Sequence, residues 1–261
     1  MCRLLAYSGP TIALARLISE PEHSLVVQSY APREMTSGRL NADGFGFAWY
    51  DAGRQAEPFL YRNILPIWSD SNLPSLAGYI AAPCILANVR SATPGQALDF
   101  SNTQPFAFGR ISVIHNGFVD KFGGALRRRL RDGFEDETHE AIRGTTDSEH
   151  LFGWLIQHVR AAPTLAEGLA QGLASLIAHL PEARMTLNFI LSDGRTLAAS
   201  RHALGGPPPS LYVLDRHARF PDAVLIASEP LFDDPAWRAV PAGHLVTVDE
   251  DRRLSLAPLA G

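Results

Sequence analysis

The chain alternates short apolar runs with polar breakers over most of its length. Runs of strand length occur at Arg3–Tyr7, Ser24–Gln28, Gly44–Tyr50, Ile85–Arg90, Ile111–His115, Leu187–Leu191, Thr196–Ser200, Ala223–Ala227 and His244–Val248. Each is bounded by Gly, Pro, Asn or Asp, and each predicts a β-strand. Helical spacing is confined to the middle. Thr146-Asp147-Ser148-Glu149 is a capping-box pattern, and Leu151, Leu155, Ile156 and Val159 follow on one face, which predicts a helix over Thr146–Arg160. Thr164–His179 is a second amphipathic segment and Gly123–Arg131 a third. Gly205–Pro209 reads as a loop, and no linker or repeat interrupts the chain.

Strands, then helices, then strands again is the wrong order for repeated βαβ units and a parallel sheet. It predicts a layered α+β protein with antiparallel sheets covered by the long central helices. No glycine-rich phosphate loop follows a strand, so nothing predicts a nucleotide cofactor.

Composition narrows the function classes. In 261 residues, 46% are hydrophobic and 19% charged, as in an ordinary globular protein, and one domain spanning 1–261 is expected. A net charge of −4 argues against a nucleic-acid or anionic-membrane partner. The basic cluster Arg127–Arg131 falls on a predicted helix and reads as a solvated face. No apolar run reaches membrane-spanning length and no signal segment opens the chain, so a cytoplasmic location is expected. Two cysteines, Cys2 and Cys84, are too few for a disulfide framework, and no Cys/His set has metal spacing. Cys84 sits in Pro83-Cys84-Ile85-Leu86-Ala87, where a buried inert thiol is expected.

Cys2 is different because of its position. Removal of Met1 would leave a thiol and a free α-amino group on one residue, and that amine titrates close to neutrality. One residue then holds both nucleophile and proton acceptor. Asn116-Gly117 supplies an amide and a glycine N–H that can converge on an oxyanion, although Asn-Gly is also the commonest turn signal. Arg90 ends an apolar strand, either as a fork for a carboxylate or as a surface ion pair. Asp147, in the first turn of a helix, complements the helix dipole or binds an ammonium group. The loops Asn41-Ala42-Asp43-Gly44 and Asn102-Thr103-Gln104-Pro105 line a polar pocket or build turns. Together, thiol, guanidinium, amide pair and carboxylate form a complete set for cleaving a γ-glutamyl amide.

These motifs, in this order, resemble the class II glutamine amidotransferases, members of the N-terminal nucleophile hydrolases. The resemblance runs from Met1-Cys2-Arg3-Leu4-Leu5 through Val89-Arg90-Ser91-Ala92-Thr93, His115-Asn116-Gly117 and Thr146-Asp147-Ser148-Glu149 to Ala227-Ser228-Glu229-Pro230. It implies a four-layer αββα sandwich of two antiparallel sheets, with Cys2 as nucleophile and Asn116 and Gly117 as the oxyanion hole. It also implies Arg90 and Asp147 as the clamps for the glutamyl carboxylate and ammonium, with Thr93 and His115 in the substrate site. Neither a metal nor a cofactor is implied. Further segments, Val27–Arg33, Asn41–Gly44, Leu65–Asp70 and Leu225–Asp234, resemble the γ-glutamyl hydrolases of ergothioneine biosynthesis, whose substrate carries a trimethylammonium group. Aromatic faces suit that cation, and Tyr30 and Trp68 are the candidates for the leaving-group pocket, with Trp49 better explained by core packing. A stand-alone glutaminase, an amidotransferase subunit feeding a separate synthase, and a non-catalytic γ-glutamyl-binding module remain as alternatives. The partner expected is a small molecule, and the sequence is silent on oligomeric state.

Overall fold

In a computed structural model of the chain, residues 2–93 and 95–259 are described. One antiparallel sheet holds β1 (Arg3–Ala13), β2 (Phe45–Trp49), β3 (Phe59–Asn63) and β4 (Ala81–Val89). The second contains β5 (Phe106–Phe108), β6 (Ile111–Val119), β7 (Met185–Ser192), β8 (Leu197–Arg201) and β9 (Ala203–Leu204). Of the later strands, β10 (Tyr212–His217), β11 (Phe220–Ala227) and β12 (Arg238–Ala239) return to the first sheet, and β13 (His244–Val248) and β14 (Leu254–Pro258) extend the second. The first sheet has the order β12-β10-β11-β1-β4-β2-β3, and the second β14-β13-β8-β7-β6-β5 with β9 on β7.

Period-2 alternation sorts the side chains into separate apolar layers. Leu5, Tyr7, Phe45, Phe47, Ile85 and Leu225 pack outward from the first sheet against α1 (Ala15–Ile18), α2 (Leu25–Tyr30) and α3 (Leu73–Tyr79). Leu4, Ala6, Leu86, Ile114, Ile190 and Val246 fill the space between the sheets. Leu187, Phe189 and Leu191 face the opposite way, against α6 (Asp147–Ala161) and α7 (Leu165–His179). The result is the expected αββα sandwich. Two further helices, α4 (Gly124–Arg131) and α5 (Asp136–Ala141), precede α6. Leu151, Leu155, Leu169, Leu173 and Leu176 are fully or almost fully buried along the α6–α7 contact. Each such leucine contributes roughly 1.5–3 kcal/mol relative to its exposed state.

The first central helix begins where its capping box predicts, and the second also starts on a threonine cap. Thr146 Oγ accepts from the Glu149 amide at 3.2 Å, and Thr164 Oγ accepts from Glu167 at 3.2 Å. On α4, Arg128 and Arg129 are exposed while Leu130 is buried, as expected of a solvated basic face. Cys84 is buried, its Sγ lies 3.1 Å from Ser192 Oγ, and burial pushes its thiol up to about 12.

One expected strand is a helix. Ser24 caps α2 by accepting from the Val27 amide, and the buried residues Leu25, Gln28 and Ser29 follow helical spacing. The β-branched pair Val26-Val27 suggests a strand, but the cap and the buried polar side of the segment outweigh it. The strands at Phe59–Asn63 and Tyr212–His217 carry too many polar residues for their alternation to stand out in the sequence.

Candidate active site

Cys2 immediately precedes β1, with its side chain in the layer between the sheets and 8% exposed. Met1 lies outside the described residues. The β1–β4 register pairs Arg3 with Val89 and Leu4 with Asn88, which carries Cys2 up beside Arg90. Tyr50 marks the opposite end of the sandwich, where its hydroxyl meets Ser112 Oγ and donates to Ser192 O. Asn116 lies four residues along β6 from Ser112, toward the Cys2 end. From β7, Asn188 Nδ2 donates to Pro209 O at 3.0 Å, and Ser210 Oγ donates to Ser228 O at 2.8 Å. Ser228 in turn accepts from the Leu4 amide at 2.9 Å, so both sheets meet around the start of β1.

Arg90 follows β4 directly and is almost fully buried. Its Nη1 donates to Asp43 O at 3.1 Å and its Nη2 to Gln96 Oε1 at 3.1 Å. The backbone repeats the link, since Arg90 N donates to Gly44 O and Asp43 N to Arg90 O. Asp43 Oδ2 also accepts from the Ala92 amide at 2.8 Å. Gly44 has φ +112° and passes 2.9 Å from Asn63 O at the position a β-carbon would occupy, which suits only glycine. The Asn41–Gly44 segment is thus the bracket for the guanidinium.

Asn116 and Gly117 are not a turn. Both lie inside β6, paired with Asn188 and Leu187 of β7. Alternation puts Asn116 on the same face as Ile114, between the sheets. Its amide is fully buried, and neither Oδ1 nor Nδ2 has a protein partner. Native buried amides are nearly always bonded, which makes this one a candidate for a ligand contact. Gly117 has no room for a side chain: a β-carbon would stand 1.9 Å from Thr186 O and 2.2 Å from His115 Nε2.

His115 faces the helices rather than the inter-sheet layer. Its Nε2–H donates to Thr186 O at 3.0 Å, its Nδ1 accepts from Ser148 Oγ at 2.9 Å, and its ring stacks on Phe189. Burial lowers its pKa, against the Asp147 charge and the Thr186 hydrogen bond. His115 therefore braces β6 against α6. Asp147 is the first residue of α6, with Oδ2 accepting from Val119 N at 2.8 Å and Oδ1 from Ser148 N at 2.9 Å. Asn102 fixes the approach to α6 by accepting from Thr145 N at 2.7 Å, and Gln104 brackets the backbone of His115 from both sides.

Thr93 is exposed on the loop beyond Arg90. Tyr30 and Trp68 meet edge to face with centroids 6.0 Å apart, and they are 50% and 44% exposed. Trp49 stacks on Phe59 across β2 and β3, as expected of a packing residue. A cavity of about 290 Å³ lies at the sandwich edge, lined by Arg62, Phe106, Thr138, Arg143, Glu149 and Phe152. It excludes Cys2, Arg90, Asn116 and Asp147, so it is separate from this constellation.

Sequence reasoning missed Asn88 and Asn188. Both are fully buried, and alternation turns both into the layer that holds Cys2 and Asn116. Asn88 has no partner on either amide atom, and Asn188 has none on Oδ1. The available signal was an asparagine inside each of two otherwise apolar strands.

Comparison with known proteins identifies the family of the chain. The chain is 35% identical over 263 residues to a γ-glutamyl-hercynylcysteine sulfoxide hydrolase of Mycolicibacterium smegmatis, covering 99% of this chain and 100% of that protein. It is 30% identical to the probable glutamine amidotransferase DUG3 of Saccharomyces cerevisiae, covering 95% and 82% respectively. A glutamine aminotransferase class-II domain protein from Silicibacter pomeroyi has a similar structure, with TM-score 0.74 and 29% identity over the full length of both chains. Residues 1–223 match the family described as glutamine amidotransferases class-II, and the chain belongs to that family.

Proposed function

We propose that this chain is a γ-glutamyl amide hydrolase with Cys2 as its N-terminal nucleophile, acting on γ-glutamyl-hercynylcysteine sulfoxide. The observation that carries the reading is the buried, unpartnered Asn116 amide facing the layer that holds the Cys2 thiol. The name of the Mycolicibacterium smegmatis relative supplies the substrate.

With Met1 removed, the Cys2 α-amine accepts the thiol proton as sulfur attacks the γ-carbonyl. Asn116 Nδ2 and the Gly117 N–H stabilise the tetrahedral oxyanion. The C–N bond then breaks, the departing amine takes the proton back, and a γ-glutamyl thioester remains on Cys2. Water hydrolyses the thioester, releasing glutamate and restoring the thiol. Arg90 binds the α-carboxylate with Thr93 at the rim, and Asp147 binds the α-ammonium. Tyr30 and Trp68 offer faces to the trimethylammonium of the leaving group. His115 serves the reaction by holding β6 in place.

The yeast relative favours a second reading, in which the same residues release ammonia from glutamine for a separate acceptor enzyme. Arg90 and Asp147 do not discriminate, because both substrates present the same α-carboxylate and α-ammonium. Glutamate release from the sulfoxide conjugate and from L-glutamine separates the two. Strong preference for the conjugate is expected, and equal or faster turnover of glutamine would favour the second reading.

A further inference from the structure

Arg3 and Glu229 form a buried ion pair on the opposite face of the first sheet from the Cys2 thiol. Arg3 Nη1 donates to Glu229 Oε1 at 2.7 Å, and both side chains have no solvent exposure. Arg3 Nε donates to the carbonyl oxygen of Cys2 at 2.7 Å. Glu229 directly follows Ser228, whose backbone N–H and hydroxyl both engage Leu4. Its carboxylate also accepts from His23 Nε2 at 2.6 Å, Arg33 N at 2.8 Å and Glu34 N at 3.0 Å. The network continues toward Arg90. Gln28 Nε2 donates to His23 O at 2.9 Å, Asn41 Nδ2 donates to Gln28 O at 3.2 Å, and Asn41 leads into the Asp43–Gly44 bracket.

We infer that Arg3 and Glu229 are positioning residues that hold Cys2 and the Arg90 bracket in a single frame. This rests on the reading of Cys2 as nucleophile. An N-terminal residue has a chain on one side only, so its placement depends on the peptide that follows it. Clamping the Cys2 carbonyl fixes the plane of the Cys2–Arg3 peptide and so the placing of Cα, which bears both thiol arm and amine. Displacement of a reacting group by about 1 Å can cost on the order of a hundredfold in rate. A buried ion pair is in general a poor source of stability compared with apolar packing, so its geometry is the more telling property. Burial pushes the Glu229 carboxyl up, but the His23, Arg33 and Glu34 hydrogen bonds and the Arg3 charge hold it at about 2. It is therefore a full anion wherever the enzyme would be assayed.

The test uses full-length, Met1-processed protein carrying Arg3→Lys or Glu229→Gln. It reads kcat and KM for glutamate release, thermal unfolding, and the rate at which iodoacetamide alkylates Cys2, followed by peptide mass. The positioning role requires kcat about tenfold lower or more in folded variants, with KM changed far less and Cys2 alkylation altered. Should either single variant fail to fold, Arg3→Met/Glu229→Met removes both charges together and must show the same loss of kcat. Wild-type kcat and alkylation in a folded variant overturns the positioning role alone. Turnover that survives alkylation of wild-type Cys2 overturns the nucleophile reading and the positioning role with it.

Discussion

Ser148 Oγ lies 2.9 Å from His115 Nδ1, and these two residues stand immediately beside Asp147 and Asn116 in the sequence. Together with the bond from Val119 N to Asp147 Oδ2, this contact ties the strand of the proposed oxyanion hole to the helix of the proposed ammonium clamp. Ser148→Ala leaves a buried ring nitrogen unpaired and is expected to cost about 1–3 kcal/mol of stability. The same imidazole gives a pH dependence of definite sign. Its pKa is lowered on folding, so its contribution is complete above about pH 6.5 and is lost as pH falls through the folded value. Urea unfolding at pH 7 and pH 5 should show the loss, and His115→Gln should reduce it. Burial also lowers His150, His158 and His202, so a residual slope is expected. An unchanged slope in His115→Gln would count against the argument.

Asn116 offers a separation of stability from rate. Its amide has no protein partner, so Asn116→Ala removes an uncompensated buried polar group as well as some packing. Unfolding temperature should change little or rise. Loss of one oxyanion donor should lower kcat by roughly a hundredfold to a thousandfold. A variant within tenfold of wild type, or one that melts far earlier, contradicts the role given to this amide.

The aromatic pair is tested by comparing substrates. Tyr30→Ala/Trp68→Ala removes two half-exposed rings, where a cation–π contact is worth about 0.5–1 kcal/mol each. KM for the sulfoxide conjugate should rise several-fold while KM for glutamine stays unchanged. Parallel effects on both substrates would place the trimethylammonium elsewhere.

Much of the scaffold was legible because the apolar periodicities are strong. The layered sheets, both long helices and the Thr146 cap all follow from local patterns. Ser24–Gln28 was misread because the β-branched valines there mask a helix whose buried side is polar. Asn116-Gly117 has the composition of a turn, and only pairing with β7 keeps it extended. Arg3 and Glu229 stand 226 positions apart, and no short-range pattern reports a contact of that separation. The bracket of Asp43 around Arg90 is hidden for the same reason, since two loops meet only once the sheet has formed.

The burial of Cys84 has a practical consequence. Burial pushes its thiol up to about 12 beside Ser192, whereas Cys2 keeps 8% exposure just before β1, so Cys2 is the sulfhydryl a mild electrophile is expected to reach first. Counting moles of label taken up per mole of protein then counts Cys2 thiols, and with Cys2 as the proposed nucleophile any preparation that retains Met1 would register as a shortfall in turnover per labelled site.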